Sequence, residues 1–338
     1  MTWIEPGPER VASGVHRIAL PLPDDGLRAV NVYALSGPGG LSLIDGGWAL
    51  AESLETLASA LCSIGFGLAE IEQCLVTHVH RDHYTQAVTL QREYGTRISL
   101  GAGERANLDR VSRMSEAAGD RFVDTMSYLV RCGAGALLAQ LAQARHSGDG
   151  ARDWAPPEHW LADEQQVAAG GRELTVVHTP GHTAGHVVFH DAAAGLLFAG
   201  DHVLPHITPS IGFEPVRTAF PLRDYLDSLT LMLKRPDARL LPAHGPVSES
   251  VHARVHELLA HHDERLDATE HAVRAGATDA YEAAGLLPWT RRERRLADLD
   301  LFNIMLAVSE TSAHLDVLVL QGRLRSETVE GVERYWIN

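Results

Sequence analysis

Apolar and polar positions along this chain follow two periods, and the changes of period mark its elements. Gly14-Val15-His16-Arg17-Ile18-Ala19-Leu20 alternates with period two and predicts a strand. Pro21 to Gly26 breaks the alternation, Val30 to Leu35 predicts a second strand, and Gly37-Pro38-Gly39-Gly40 a turn. Leu41 to Ile44 predicts a third strand ending at Asp45-Gly46-Gly47. Strands joined this closely fit an antiparallel start to a sheet. The loop at 21–26 is open to two readings, a surface turn or an overhang on a site. From Ala51 to Ile64 the spacing turns helical, with Leu54, Leu57, Leu61 and Ile64 on one stripe. Ile71 to Val76 predicts a buried strand, Ala87 to Tyr94 a helix stopped at Gly95, and Ile98 to Leu100 a short strand. This alternation is α/β in character.

Between Glu104 and about Ala144 the period is helical throughout. Leu108, Val111, Met114, Phe122, Met126, Tyr128, Leu129, Leu137, Leu138 and Leu141 predict an all-helical insertion over about 104–150, closed by Gly148-Asp149-Gly150. Such helices either cover a site and shape its pocket or, like Met114, Met126, Tyr128 and Trp154 taken singly, pack as core. Apolar strands return at Leu174–Val177, Val187–Phe189, Leu196–Ala199 and Arg239–Ala243. Glu249 to Ala275 predicts a long amphipathic helix, stopped at Gly276. Helical stretches at 292–298, 302–314 and 315–320 follow, then the β-like Glu333 to Ile337. The histidines at 252, 256, 261, 262 and 271 read as an exposed helix face, and Arg291 to Arg295 as a solvated one.

The strand ends carry the chemistry. Cys74-Leu75-Val76 runs into Thr77-His78-Val79-His80-Arg81-Asp82-His83-Tyr84. Leu174 to Val177 runs into His178-Thr179-Pro180-Gly181-His182-Thr183-Ala184-Gly185-His186. Leu196 to Ala199 ends at Gly200-Asp201-His202, and Arg239 to Ala243 at His244-Gly245. In α/β sheets the side chains at such ends converge on a crevice. Imidazole nitrogen and carboxylate oxygen are ligands for first-row metals. On an extended backbone His78 and His80 point to the same side, while Asp82 and His83 follow where the chain turns into a helix. His78, His80 and His182 then suit one metal, and Asp82, His83 and His244 a second. Asp201 can bridge the pair, because a carboxylate has two oxygens. Asp45 suits the orienting of a ligand better than binding, since ligating imidazoles need acceptors behind them. His178 and His186 read as structural.

Composition narrows the setting. At 338 residues the chain forms one large domain with an appendage, or two domains divided near residue 247. A net charge of −15, from 29 basic and 44 acidic residues, works against nucleic acid and anionic membrane as partners. Three cysteines, Cys62, Cys74 and Cys132, in apolar or helical surroundings predict reduced, buried thiols. The N-terminus lacks a signal-peptide pattern, and no apolar run reaches the ~18–20 residues of a membrane span. A cytoplasmic location and a small-molecule substrate are the expectations, with a homodimer left open.

The motif H-x-H-x-D-H at His78 to His83, the downstream His182, Asp201 and His244, and the preceding Asp45-Gly46 resemble the metallo-β-lactamase superfamily over about residues 12–247. The resemblance implies an αββα sandwich (α/β, or α+β) with two divalent metal ions at one edge, usually zinc, with iron or manganese as alternatives. Thr179 to Thr183 and Gly200-Asp201 look more like glyoxalase II and its thioesterase and lactonase relatives than like antibiotic-degrading lactamases. The residues at 248–338 resemble the winged-helix-like C-terminal domain of a subgroup of these hydrolases. The implied activity is hydrolysis of a thioester or lactone by a hydroxide shared between the metals, and the apolar insertion at 104–150 predicts a substrate with an apolar portion. Asp82 and Asp201 are then the catalytic carboxylates, and Tyr84, His202, His206, Arg217 and Tyr225 the candidate substrate contacts. Two alternatives remain: an endoribonuclease or phosphodiesterase with the same site, and a single-iron sulfur dioxygenase, which uses a subset of these ligands.

Overall fold

A computed structural model describes residues 3–5, 7–23, 26–116, 123–143, 151–290 and 292–338. Phe122, the glycine turn at 148–150, Arg291 and the acidic tip of the 21–26 loop lie outside the described residues. Two sheets face each other. The first has seven strands in the sequential order β1 (Pro8–Ala12), β2 (Val15–Pro21), β3 (Ala29–Gly37), β4 (Gly40–Ile44), β5 (Ile71–Val76), β6 (Arg97–Gly101) and β7 (His159–Leu161). The turns at residues 13–14, 21–29 and 37–40 make β1 to β4 antiparallel, and helical crossovers make β4 to β7 parallel. The second sheet runs β12 (Arg239–Pro242), β11 (Leu196–Gly200), β10 (Val187–Asp191), β9 (Arg172–His178), β8 (Gln166–Ala169).

The strands read as unbroken apolar runs because both faces of each sheet are covered. Val176, Val187, Phe189, Leu196 and Phe198 point between the sheets and meet Tyr33, Leu35, Ile44 and Leu75. Their alternates Val177, Val188, Leu197 and Ala199 point outward, against helices. On the first sheet's outer face, α1 (Ala51–Ser63) and α2 (Arg81–Tyr94) bury Leu57, Leu61, Tyr84, Val88 and Leu90 over Val32, Leu43, Val76 and Leu100. The edge of the Tyr33 ring meets Phe198 across the sandwich, with centroids 5.4 Å apart. The layers are therefore helix, sheet, sheet, helix, as expected.

Several expectations need correcting. The second helix starts at Arg81, inside the histidine motif, and β1, β7, β8 and α6 (Pro221–Leu233) were not legible as periods. The insertion divides into α3 (Arg105–Glu116), α4 (Val123–Arg131) and α5 (Leu138–Gln143). Leu129, Leu137 and Leu141 from it pack with the tail rather than standing apart. The tail comprises α7 (Val251–Arg274), α8 (Ala280–Leu286), one unbroken α9 (Leu301–Leu320) and the hairpin β13 (Leu324–Val329) and β14 (Val332–Ile337). It shares one apolar cluster with α6 and the outer face of the second sheet, so no core boundary falls at residue 247. α9 is the one described helix long and apolar enough to cross a membrane, and most of it is buried inside the protein.

Residues 292–295 are exposed but lie in a turn pinned by Trp289 and Arg294, not on a helix face. His262 is buried, not exposed, and its Nδ1 lies 3.2 Å from Nε2 of the buried His314. Cys74 and Cys132 are buried free thiols as expected, whereas Cys62 is exposed.

The shared core gives a test. Leu315 is fully buried in it, so Leu315→Ala should cost about 2–5 kcal/mol in equilibrium denaturation. The loss should appear in a single transition. A separate early transition confined to 248–338 would contradict a shared core.

Candidate metal centre

The site forms where strands of both sheets end at the same edge. β5 ends at Val76 and releases Thr77 to His80, and the next residue starts α2, whose first turn carries Asp82 and His83. β9 leads to His182, β11 to Asp201 and β12 to His244. The structure brings together all seven proposed ligands in two groups. Atoms of His78, His80, His182 and Asp201 lie within 4.8 Å of one another, as do those of Asp82, His83 and His244. His80 Nδ1 is 3.0 Å from both His78 Nε2 and His182 Nε2. Asp201 joins the groups. Its Oδ2 is 3.4 Å from His182 Nε2, and its Oδ1 is 3.4 Å from His244 Nε2 and 3.8 Å from His83 Nε2. Asp82 Oδ2 lies 3.4 Å from His244 Nε2 and 3.6 Å from His83 Nε2.

The partners behind the rings fix the tautomers. His182 Nδ1–H donates to Ser210 O (2.8 Å), and His244 Nδ1–H to Ala29 O (2.8 Å). His83 Nδ1–H donates to Asp45 Oδ2 (2.9 Å). The Thr77 hydroxyl donates to Asp45 Oδ1 (3.0 Å) and therefore accepts from His78 Nδ1–H (3.1 Å). Each of these four rings thus turns a bare Nε2 inward. His80 Nδ1 can donate to only one of its two neighbours, so lone pairs must face one another. The buried Nε2 of His83 and of His244 and Oδ1 of Asp201 have no hydrogen-bond partner.

Protons do not resolve this crowding around His78, His80 and His182. Burial, helped by His182, pushes His80 down to about 3, and burial pushes His182 down to about 4. His78 is held well below the usual imidazole range by burial and by His83 and His80. Burial also opposes charge on His83, but Asp82, Asp45 and Asp201 outweigh it and carry that ring up to about 10. For Asp82 burial is likewise outweighed, by His83 and His244, so its carboxyl is held low. Bare nitrogens beside oxygens that stay anionic fit divalent cations.

Other residues steady these ligands. The Asp201 N–H donates to His186 Nε2 (3.2 Å), whose Nδ1–H donates to Thr179 Oγ1 (2.9 Å). His186 is therefore the acceptor that sets the bridge, a role that spacing alone could not show. Gly200 has φ +51, and a Cβ there would sit 2.7 Å from both His186 Nε2 and Thr77 Oγ1. Asp45 itself lies in the left-handed region, at φ 61.

Three of the five candidate substrate contacts are placed otherwise. Tyr84 is buried and donates to Ala155 O (2.7 Å), so it faces the core under α2. Tyr225 is buried against Gly181 and donates to His202 O (3.0 Å). His202 is buried too, and burial pushes its ring down to about 3. Only His206 and Arg217 reach solvent: His206 is exposed beside Gly245, and half-buried Arg217 stacks on the Tyr128 ring at 3.7 Å.

A sequence profile of the metallo-beta-lactamase superfamily matches residues 25–244, which include every proposed ligand. The chain belongs to the metallo-beta-lactamase superfamily. It is 24% identical to the "Probable metallo-hydrolase YqjP" of Bacillus subtilis over 91% of this chain and 90% of that protein. It is 36% identical to the "Beta-lactamase-like protein 2 homolog" of Drosophila melanogaster, over 32% of this chain and about a third (34%) of that relative's length. A metallo-beta-lactamase family protein from Thermus thermophilus superposes with a TM-score of 0.78 at 26% identity, covering 97% of this chain and all of its own, the tail included. The chain thus combines this superfamily's fold with a candidate His/Asp metal site.

Asp45 should be the most telling single change behind the ligands. Asparagine tolerates the left-handed backbone, so Asp45→Asn keeps the turn while removing the charge behind His83 and Thr77. Metal affinity, measured by chelator competition, should fall about 10- to 100-fold. Unchanged affinity would count against the role given to Asp45.

Proposed function

We propose that this protein is a metallo-hydrolase that cleaves a carboxyl derivative, a thioester or lactone, whose acyl portion is apolar. One observation carries the reading: two ligand groups share Asp201. Two zinc ions, when bound, supply ionised water near neutral pH and polarise a carbonyl oxygen. The chain's own residues do the rest. His78, His80 and His182 would hold one ion, and Asp82, His83 and His244 the other, with Asp201 between. Asp82 and His80 are the ligands partly open to solvent at this centre, with about 17% of the Asp82 side chain exposed. The Asp82 carboxylate would orient the attacking water and accept its proton, which then passes to the departing sulfur or oxygen. Water adds to the acyl carbon, the carbon–sulfur or ring carbon–oxygen bond breaks, and the products are a carboxylic acid and a thiol or alcohol.

The loop after Asp201 supports an apolar substrate portion. It backs His182 through Ser210, it exposes Ile207 and Val216, and its half-buried Phe213 packs against Phe302. His206, on the same loop, suits a polar contact to the substrate's head.

Hydrolysis of acyl thioesters and acyl lactones of graded chain length tests this reading. Turnover should vanish on chelation, return with zinc and rise with chain length. Asp82→Asn should lower kcat by about 10²-fold or more, with less effect on KM. Cleavage of RNA but of neither ester class, or one iron per chain with oxygen consumption, would replace this reading by one of the two alternatives.

A further inference from the structure

Two buried carboxyl groups lie outside the metal centre, and the proposed reaction does not use them. Glu104 ends the short 3-10 turn after β6, is fully buried and has no basic partner among its contacts. It accepts from the Thr183 hydroxyl and from Asn107 Nδ2 (3.4 Å), and the Val79 N–H favours its charged form. Glu214, on the loop after Asp201, is also buried. It accepts from the Ala184 N–H (2.9 Å) and from Asn107 Nδ2 (2.6 Å). Asn107 uses its whole amide, because its Oδ1 accepts from the Val216 N–H (2.9 Å).

The donors decide what this network does. Val79 lies between His78 and His80, while Thr183 and Ala184 directly follow His182. His182 is therefore directly followed by two groups that Glu104 and Glu214 hold. The two ligand loops come from different sheets, and the carboxyls come from two further places, Glu104 from the base of the insertion and Glu214 from the loop after Asp201. The contact leaves no slack: a Cβ on Gly185 would lie 2.0 Å from Glu104 N. Burying two carboxyls with only Arg217 nearby, acting on Glu214, is costly, so packing alone would favour apolar residues at these two positions.

We infer that Glu104, with Asn107 and Glu214, is a positioning network that sets His182, in the His78/His80/His182 half of the centre, and ties it to the insertion and the loop after Asp201. The inference rests on the metal reading of the site. It predicts selectivity, because Asp82, His83 and His244 have other supports, namely α2, Asp45 and Ala29.

The hydrogen bond can be removed without changing shape. Thr183→Val keeps the volume and loses the hydroxyl, Thr183→Ser keeps the hydroxyl, and Glu104→Gln replaces an acceptor by a donor. The full-length, zinc-loaded chains are dialysed against graded chelator. Zinc retained per chain is measured, together with thermal unfolding of the metal-free proteins. Wild type and Thr183→Ser should release zinc with one profile. Thr183→Val and Glu104→Gln should release one of two ions at about tenfold lower chelator, with the other ion unmoved. A Thr183→Val profile like that of Thr183→Ser would overturn the inference alone. So would loss of both ions in step with lowered metal-free stability, the mark of a purely structural role. A wild type that retains no zinc would overturn the metal reading and this inference together.

Discussion

Seven side chains turn bare nitrogens and oxygens toward one another in a space that is largely closed to water, and the rest of the structure is arranged around that constraint. Neutral rings leave lone pairs in contact, and burial opposes protonation of His78, His80 and His182. A buried polar atom without a partner costs free energy comparable to a lost hydrogen bond or more. The chain bears this cost at His83, His244 and Asp201 together. Divalent cations remove it, which makes the centre intelligible as a whole.

The fold supplies the convergence. Strands buried on both faces are stiff, and their ends deliver ligands from both sheets to one edge. The Asp45 carboxylate then works on both halves, on His83 directly and on His78 through Thr77. His186 acts on the bridge, and Ser210 and Ala29 act on His182 and His244 through their carbonyls. A ligand's direction is thereby fixed by groups that never touch metal. The loop after Asp201 has two tasks: it anchors His182 and it presents apolar side chains to solvent.

The ligand set was legible in the sequence because it is written in residue type at strand ends, where histidines and carboxylates packed this tightly would be costly to bury without a metal. The sandwich was legible for a similar reason, since strands covered on both faces stay apolar throughout. Substrate contacts were not. Tyr84, His202 and Tyr225 lie beside ligands in sequence or were drawn from the helix behind them, yet burial turns them into supports. Backbone carbonyls such as Ser210 O leave no trace in residue type. Glu104 and Asn107 look like ordinary polar positions at a helix start until the fold buries them. The tail misled in another way: its helices read as a separate unit, but their apolar faces close over the second sheet.

Anomalous diffraction from crystals of the zinc-loaded protein would show the ions themselves. Two peaks per chain are expected. One should lie within bonding distance of His78 Nε2, His80 Nδ1 and His182 Nε2, the other within bonding distance of Asp82, His83 Nε2 and His244 Nε2, with Asp201 reaching both. A single peak, or two peaks that Asp201 does not join, would contradict a shared dinuclear centre.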